Sequence, residues 1–366
     1  MALDTAPCQP LESPPARTDL LQATAMNEET QRALHEHLKI MCCPGCGADL
    51  ELAKDEIVCS GCAHRFACDG NLPLLFWPNE WSASSEDVTE RMKAFYEETP
   101  FPNYDDFDNV GSLMQKARQG MFAKRLDDQV PPGTLVLECG CGTGQLSNFL
   151  SITNRTVIGT DLCLNSLRLA QNFKQQNGLS RAHFLQMNLF RPVFKPNSFP
   201  LVISNGVLHH TSDPFMAFES ISKLVKPGGY ILIGLYHRYG RLITDLRRQI
   251  FRLSRDRFTS LDPNLRNKEL AADKRKAWLF DQYKNPHESK HTIGEVIGWL
   301  AKTGFSFVTS VPRSKPFQPF SDNDSLFKSE PPGNWFERLT VELGMIASGS
   351  QEGGFFVVIG KKAAES

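Results

Sequence analysis

The chain has 366 residues, of which 41% are hydrophobic and 22% charged, and a formal net charge of -1. That length allows one large domain with additions or two domains, in the ordinary range for a globular protein. The near-neutral balance excludes a general pull toward nucleic acid or membrane. No apolar run approaches the roughly 18 residues that span a bilayer, "YILIGLY" (230–236) being typical of the longest.

Residues 1–38 are rich in Pro, Ser, Thr and Glu and read as a flexible tail. The opening stretch, MALDTAPCQPLESPPART, has no charged start followed by an apolar core. A cytoplasmic location is therefore expected, with the ten cysteines as thiols or metal ligands. "CCPGCGADLELAKDEIVCSGCAHRF" (42–66) pairs Cys43 with Cys46 and Cys59 with Cys62, each as Cys-x2-Cys, twelve residues apart. Two such knuckles complete a tetrahedral zinc site within a ribbon over 39–78. Four thiolates leave no open position, so the expected zinc is structural; Cys42, Cys68 and His64 are spare ligands.

Residues 85–130 carry helical patterning around an aromatic loop, "TPFPNYDDFD" (99–108). From 131 to 362, short apolar runs alternate with amphipathic stretches. The runs lie at 134–140, 156–162, 183–189, 201–208 and 230–236; helices are expected at 165–178, 213–229 and 292–304. Asp213 caps the second of these, Pro214 opens it and Pro-Gly-Gly stops it. This alternation predicts an α/β doubly wound fold, a mostly parallel sheet with helices on both faces. Two late strands, 305–311 and 354–360, bring the total to seven and can pair antiparallel, with 312–353 as an excursion. A second insertion, 238–291, is too long for an ordinary connection, and over 238–276 it holds 12 basic and 5 acidic residues. It reads as a helical lid.

The turn after the first strand, "ECGCGTG" (138–144), places Gly140, Gly142 and Gly144 where a doubly wound sheet binds ligands. Its G-x-G-x-G spacing followed by Gln145 misses the dinucleotide pattern, and no Lys-Ser/Thr follows for ATP phosphates. Asp161, ending the second strand, suits the two hydroxyls of a ribose; Asn188, after the third, suits an adenine edge. Together they describe a site for a nucleoside without a pyrophosphate.

On Glu138, "GCGTG" (140–144), Asp161, Asn188, "SNGVLHHTSDP" (204–214) and "LVKPGGYILIG" (224–234), residues 134–238 resemble class I S-adenosylmethionine-dependent methyltransferases. The resemblance is to the ubiquinone and menaquinone methyltransferase branch, methyltransferase type 11, with its Rossmann-like seven-stranded sheet. It implies that Glu138 and the loop glycines hold the methionine moiety, Asp161 the ribose, and Asn188 with Leu189 the adenine. Leu162 and Asn205 complete the implied cofactor set. Position 188 is often Asp in that family. The cysteine segment resembles the zinc ribbon of the small activator subunit of tRNA and rRNA methyltransferases, and the N-terminal ribbon of bacterial rRNA guanine methyltransferases.

Transfer from a sulfonium demands an in-line nucleophile, and a base where that nucleophile is a hydroxyl or ammonium. His209, His210, Tyr236 and His237 are the candidate groups, against a role in orienting loops or capping helices. "DQYKNPHESKHT" (281–292) offers Tyr283, His287, Glu288 and His291, and "PFPNY" (100–104) is expected to frame the acceptor pocket. The favoured acceptor is a small-molecule metabolite. RNA is the alternative, using the ribbon and the Arg-rich insertion, although Lys54 is the only basic residue within 43–62. A non-catalytic cofactor-binding adaptor is the third reading, and a homodimer is left open.

Overall fold

The computed structural model describes residues 26–81, 87–100, 109–321, 324–352 and 354–364. Helix α1 (Glu28–His37) replaces the last part of the expected tail, because Asn27 caps it by accepting from the Thr30 amide, 2.8 Å away. Its buried Leu34 joins the main core. Next comes the ribbon, an antiparallel meander of β1 (Leu50–Ala53), β2 (Glu56–Cys59) and β3 (Arg65–Phe66), followed by the small hairpin β4 (Cys68–Asp69) and β5 (Leu72–Pro73).

The lead-in holds α2 (Val88–Glu98), α3 (Val110–Gln119) and α4 (Met121–Gln129). What reads as one periodic stretch at 112–129 breaks at Gly120, whose extended backbone starts a second helix. The aromatic loop at 101–108 lies outside the described residues.

The remainder runs β6 (Leu135–Cys139), α5 (Gln145–Ile152), β7 (Thr156–Asp161), α6 (Leu164–Gln176), β8 (Ala182–Gln186), β9 (Phe199–Asn205), α7 (Pro214–Ser222) and β10 (Val225–Tyr236). The insertion follows as α8 (Leu242–Ser254), α9 (Pro263–Arg266) and α10 (Ala272–Leu279), and the chain closes with α11 (Ile293–Lys302), β11 (Phe305–Val311), α12 (Trp335–Glu352) and β12 (Phe355–Lys362). One seven-stranded sheet results, in the order β11-β12-β10-β9-β6-β7-β8. Strands β6 to β10 are parallel, while β12 runs antiparallel to both β10 and β11, as the late pair predicts.

Strand alternation sorts the core into two layers. Val136, Val157, Leu201 and Leu232 face one side with Leu113, Leu126 and Phe149. Leu137, Ile158, Val202 and Ile231 face the other with Phe218, Trp299, Met41 and the ribbon's Ile57. The ribbon therefore shares the core of the large domain. Asp213 caps α7 as expected, accepting from Met216 at 2.9 Å. The Pro-Gly-Gly at 227–229 is no helix stop: α7 ends at Ser222, and those residues lie inside β10, where the register shifts between Val225 and Tyr230. No helix among the described residues is long and apolar enough to cross a membrane.

Candidate active site

Three glycines keep the loop after β6 tight. Gly140 has φ +76°, and a Cβ there would lie 2.4 Å from Val207 Cγ2. Only glycine fits such a place without moving the neighbouring strand's exit. The Gly142 amide then donates to Asp161 Oδ2 at 2.8 Å, and the Cys163 amide to Asp161 Oδ1 at 2.8 Å. Glycine loop and Asp161 carboxylate thus form one unit. Glu138, fully enclosed, accepts from Ser147 Oγ at 2.5 Å, and burial pushes its carboxyl up to about 8. Burial also raises Asp161, partly offset by the backbone amides of Cys163, Gly142 and Leu162.

Above these groups opens a cavity of about 430 Å³ at the C-terminal ends of β6, β7, β9 and β10. Glu138, Gly140, Gly142, Asp161, Leu162, Asn188, Leu189, Asn205, His210 and Tyr236 all line it. Gly144, His209 and His237 do not. Gly144 is the left-handed N-cap of α5, packed on Ala170 and Phe184. His209 lies beneath the floor, wholly buried, its ring 4.1 Å from that of Tyr236 and 4.2 Å from that of His210. Burial first, then His210, holds it uncharged. His237 turns away: its Nδ1 accepts from the Tyr239 and Gly240 amides at 3.3 and 3.2 Å, capping the turn after β10.

His210 is placed differently. Its Nδ1 lies 2.8 Å from the His287 carbonyl, an atom that can only accept, so the proton sits on Nδ1. Burial lowers its pKa, opposed by Asp281, so the ring is neutral and Nε2 keeps a lone pair.

The rest of the cavity wall was not legible beforehand. Residues Phe280–Lys284 wind as a π-turn that buries Asp281, Gln282 and Tyr283 in succession, a device often found at functional sites. Asp281 accepts from Tyr96 Oη at 3.1 Å and from Gln282 Nε2 at 2.8 Å, and Gln282 also donates to Tyr236 Oη at 2.8 Å. Burial raises Asp281, opposed by His210. Arg241 stacks 3.9 Å above the Tyr236 ring, donates to Gln282 Oε1 at 2.5 Å and pairs with Glu288 at 2.8 Å. Within 281–292 the side chains that reach the cavity are therefore Asp281 and Gln282. Tyr283 instead bonds Asp262 at 2.6 Å, Glu288 holds Arg241 and Arg248, and His291 bonds Glu295 at 2.9 Å. The only sequence signal was a polar Asp-Gln-Tyr run at the end of the insertion.

Residues 137–233 match the methyltransferase domain family. The chain carries a class I S-adenosylmethionine-dependent methyltransferase domain. It is 26% identical to an uncharacterised protein of Synechococcus sp. over 275 residues, 67% of this chain and 66% of that one. The ubiquinone biosynthesis O-methyltransferases of Paracidovorax citrulli and Leptothrix cholodnii are 31% and 30% identical over 107 residues, 29% of this chain. The chain spans about half the length of these two, 45% and 46%.

In the ribbon, Cys43, Cys46, Cys59 and Cys62 bring their sulfurs within 4.8 Å of one another. Cys43 Sγ is 3.8 Å from Cys62 Sγ, and Cys46 Sγ is 3.4 Å from Cys59 Sγ. A tetrahedron with Zn–S bonds near 2.3 Å has edges of about 3.8 Å, so the spacing fits zinc and is too long for disulfides. The Gly61 and Cys62 amides point at Cys59 Sγ from 3.3 and 3.4 Å, stabilising thiolate there.

Proposed function

We propose that the protein transfers a methyl group from S-adenosylmethionine to a small-molecule acceptor, and that its ribbon holds one structural zinc. A single observation carries this reading: the cofactor residues and the Tyr96–Asp281–Gln282–Tyr236 network line one cavity. Bound S-adenosylmethionine supplies a methyl group on a positively charged sulfur. Glu138 then meets the methionine ammonium, Asp161 the ribose hydroxyls and Asn188 the adenine edge. Across the cavity Asp281 and Tyr236 orient the acceptor, and His210 Nε2 takes the proton that a hydroxyl or amine nucleophile releases. Apolar Met92, Leu146, Val207 and Phe355 suit a compact, partly apolar acceptor and limit water. The Arg-rich insertion supports an RNA acceptor less, since Arg241 and Arg248 are committed to Glu288 and Lys284 to Asp256. All nine described cysteines are free of disulfides, which fits the cytoplasmic location we also propose.

The test is transfer of a labelled methyl group from S-adenosylmethionine into a cell extract, resolved into RNA, protein and small molecules. Label in the small-molecule fraction is expected. Nuclease-sensitive label in RNA would replace the acceptor, and cofactor binding without transfer would favour an adaptor.

A further inference from the structure

Asn188 carries the adenine contact in the proposed reading, yet its amide is already bound on the side away from the cofactor. Asn188 Nδ2 donates to the Trp77 carbonyl at 2.9 Å and to Asn79 Oδ1 at 2.8 Å. Its Oδ1 accepts from the Phe190 amide at 3.1 Å. A carbonyl can only accept and an amide N–H only donate, so these partners fix which end of the Asn188 side chain is oxygen. Both Nδ2 protons are then used, and one lone pair of Oδ1 is left. That lone pair is the group able to accept from an exocyclic amine at the cavity wall.

Trp77 and Asn79 belong to the strap that leaves the ribbon. Its Leu75 amide donates to the Gln186 carbonyl at 3.1 Å, laying the strap along the free edge of β8. The Trp77 indole seats against Gly45, between Cys43 and Cys46; a Cβ on Gly45 would come within 2.7 Å of the ring. His64 and Phe66 meet the same indole edge-on and tilted, at 4.9 and 6.2 Å. Asn79 is buried and its Nδ2 donates to Thr89 Oγ1 at 2.9 Å, so its own orientation is set by α2. The strap's geometry thus runs from the cysteine knuckle to the adenine position in one short series of contacts.

We propose that Asn79 and the Trp77 carbonyl are positioning groups for the adenine subsite, so that the ribbon is part of the cofactor site. This rests on the cofactor reading above. It also gives a physical reason for Asn rather than Asp at 188. A carboxylate there would face two oxygens, the Trp77 carbonyl and Asn79 Oδ1, with no proton to offer them.

The experiment is calorimetric binding of S-adenosylhomocysteine and of its inosine counterpart, which has a carbonyl in place of the exocyclic amine. Wild-type protein is expected to prefer the adenine form by about tenfold, the worth of one buried hydrogen bond. Asn79→Ala removes one of the two acceptors that hold the Asn188 amide, leaving it to the Trp77 carbonyl and the Phe190 amide alone, and is expected to lower that preference severalfold. Asn79→Asp keeps an acceptor for Asn188 and is expected to retain it. An unchanged preference in Asn79→Ala overturns the proposal, and so does an equal loss in both variants, which would mark a merely structural role. Should Asn79→Ala fail to fold, Asn188→Asp decides: weaker adenine binding is expected, and binding as tight as wild type overturns the proposal. If wild-type protein binds neither ligand, the cofactor reading itself fails.

Discussion

The two halves of the cavity are built in opposite ways. On the cofactor side, Glu138, the glycine loop and Asp161 come from two adjacent parallel strands and the turn between strand and helix. Each side chain there lies within a few residues of a strand end, and the loop amides bind Asp161 directly. On the acceptor side, Tyr96 comes from α2, Tyr236 from the end of β10 and Asp281 from the π-turn, with 185 positions separating Tyr96 from Asp281. The first half is a local backbone motif; the second exists only when three distant segments meet. In the proposed reading, cofactor recognition is tied to the sheet, while acceptor recognition depends on three segments that meet only in the folded chain.

The largest expected effect separates these halves by function. His210→Ala should cut turnover by about 10²–10⁴-fold, the usual worth of a general base, while S-adenosylhomocysteine affinity by calorimetry stays near wild type. The acid limb of the wild-type pH profile should lie below the ordinary histidine value of about 6.5, because burial lowers His210 and the neutral ring is the active form. A variant that loses cofactor affinity in step with turnover would break the division. Next in size, Asp161→Ala should weaken S-adenosylhomocysteine by about 100-fold, two charge-assisted hydrogen bonds at about 1.5 kcal/mol each. Circular dichroism should show the fold intact; unchanged affinity would remove Asp161 from the ribose site. The smallest effect lies in the ribbon. Metal analysis should find about one zinc per chain, lost when Cys43 and Cys46 become Ser, with a lowered thermal midpoint. Zinc retained in that variant would place the ligands elsewhere.

Much of the cofactor side was legible because its signals are periodic or conformational. Gly140 marks a backbone turn that a Cβ would obstruct, and Asp161 ends an apolar run of the right length. The cysteine spacing predicted the cluster for a similar reason: a knuckle is a local turn, and two of them need only a short hairpin between. His209 and His210 show where such reading stops. Adjacent in sequence and identical in type, they sit on a short 3₁₀ turn, Leu208–His210, that points one ring under the floor and the other into the cavity. Likewise His237 has the same strand-end address as Tyr236, but the strand's alternation sends it to the opposite side.

Composition and pattern by themselves point to a seven-stranded α/β sheet, a cysteine knuckle pair and a tight glycine turn after its first parallel strand. Those features show as short-range patterns along the chain, although the strands themselves pair across long separations, Val136 with Leu201 and Tyr230 with Lys361. Tertiary packing alone decides that Asp281 and Gln282 meet Tyr96 and Tyr236, and that the ribbon's strap reaches Asn188 from 109 positions away. Such contacts are selected by burial and hydrogen-bond satisfaction in the assembled core, where a polar group must find a partner among segments that no local pattern brings together.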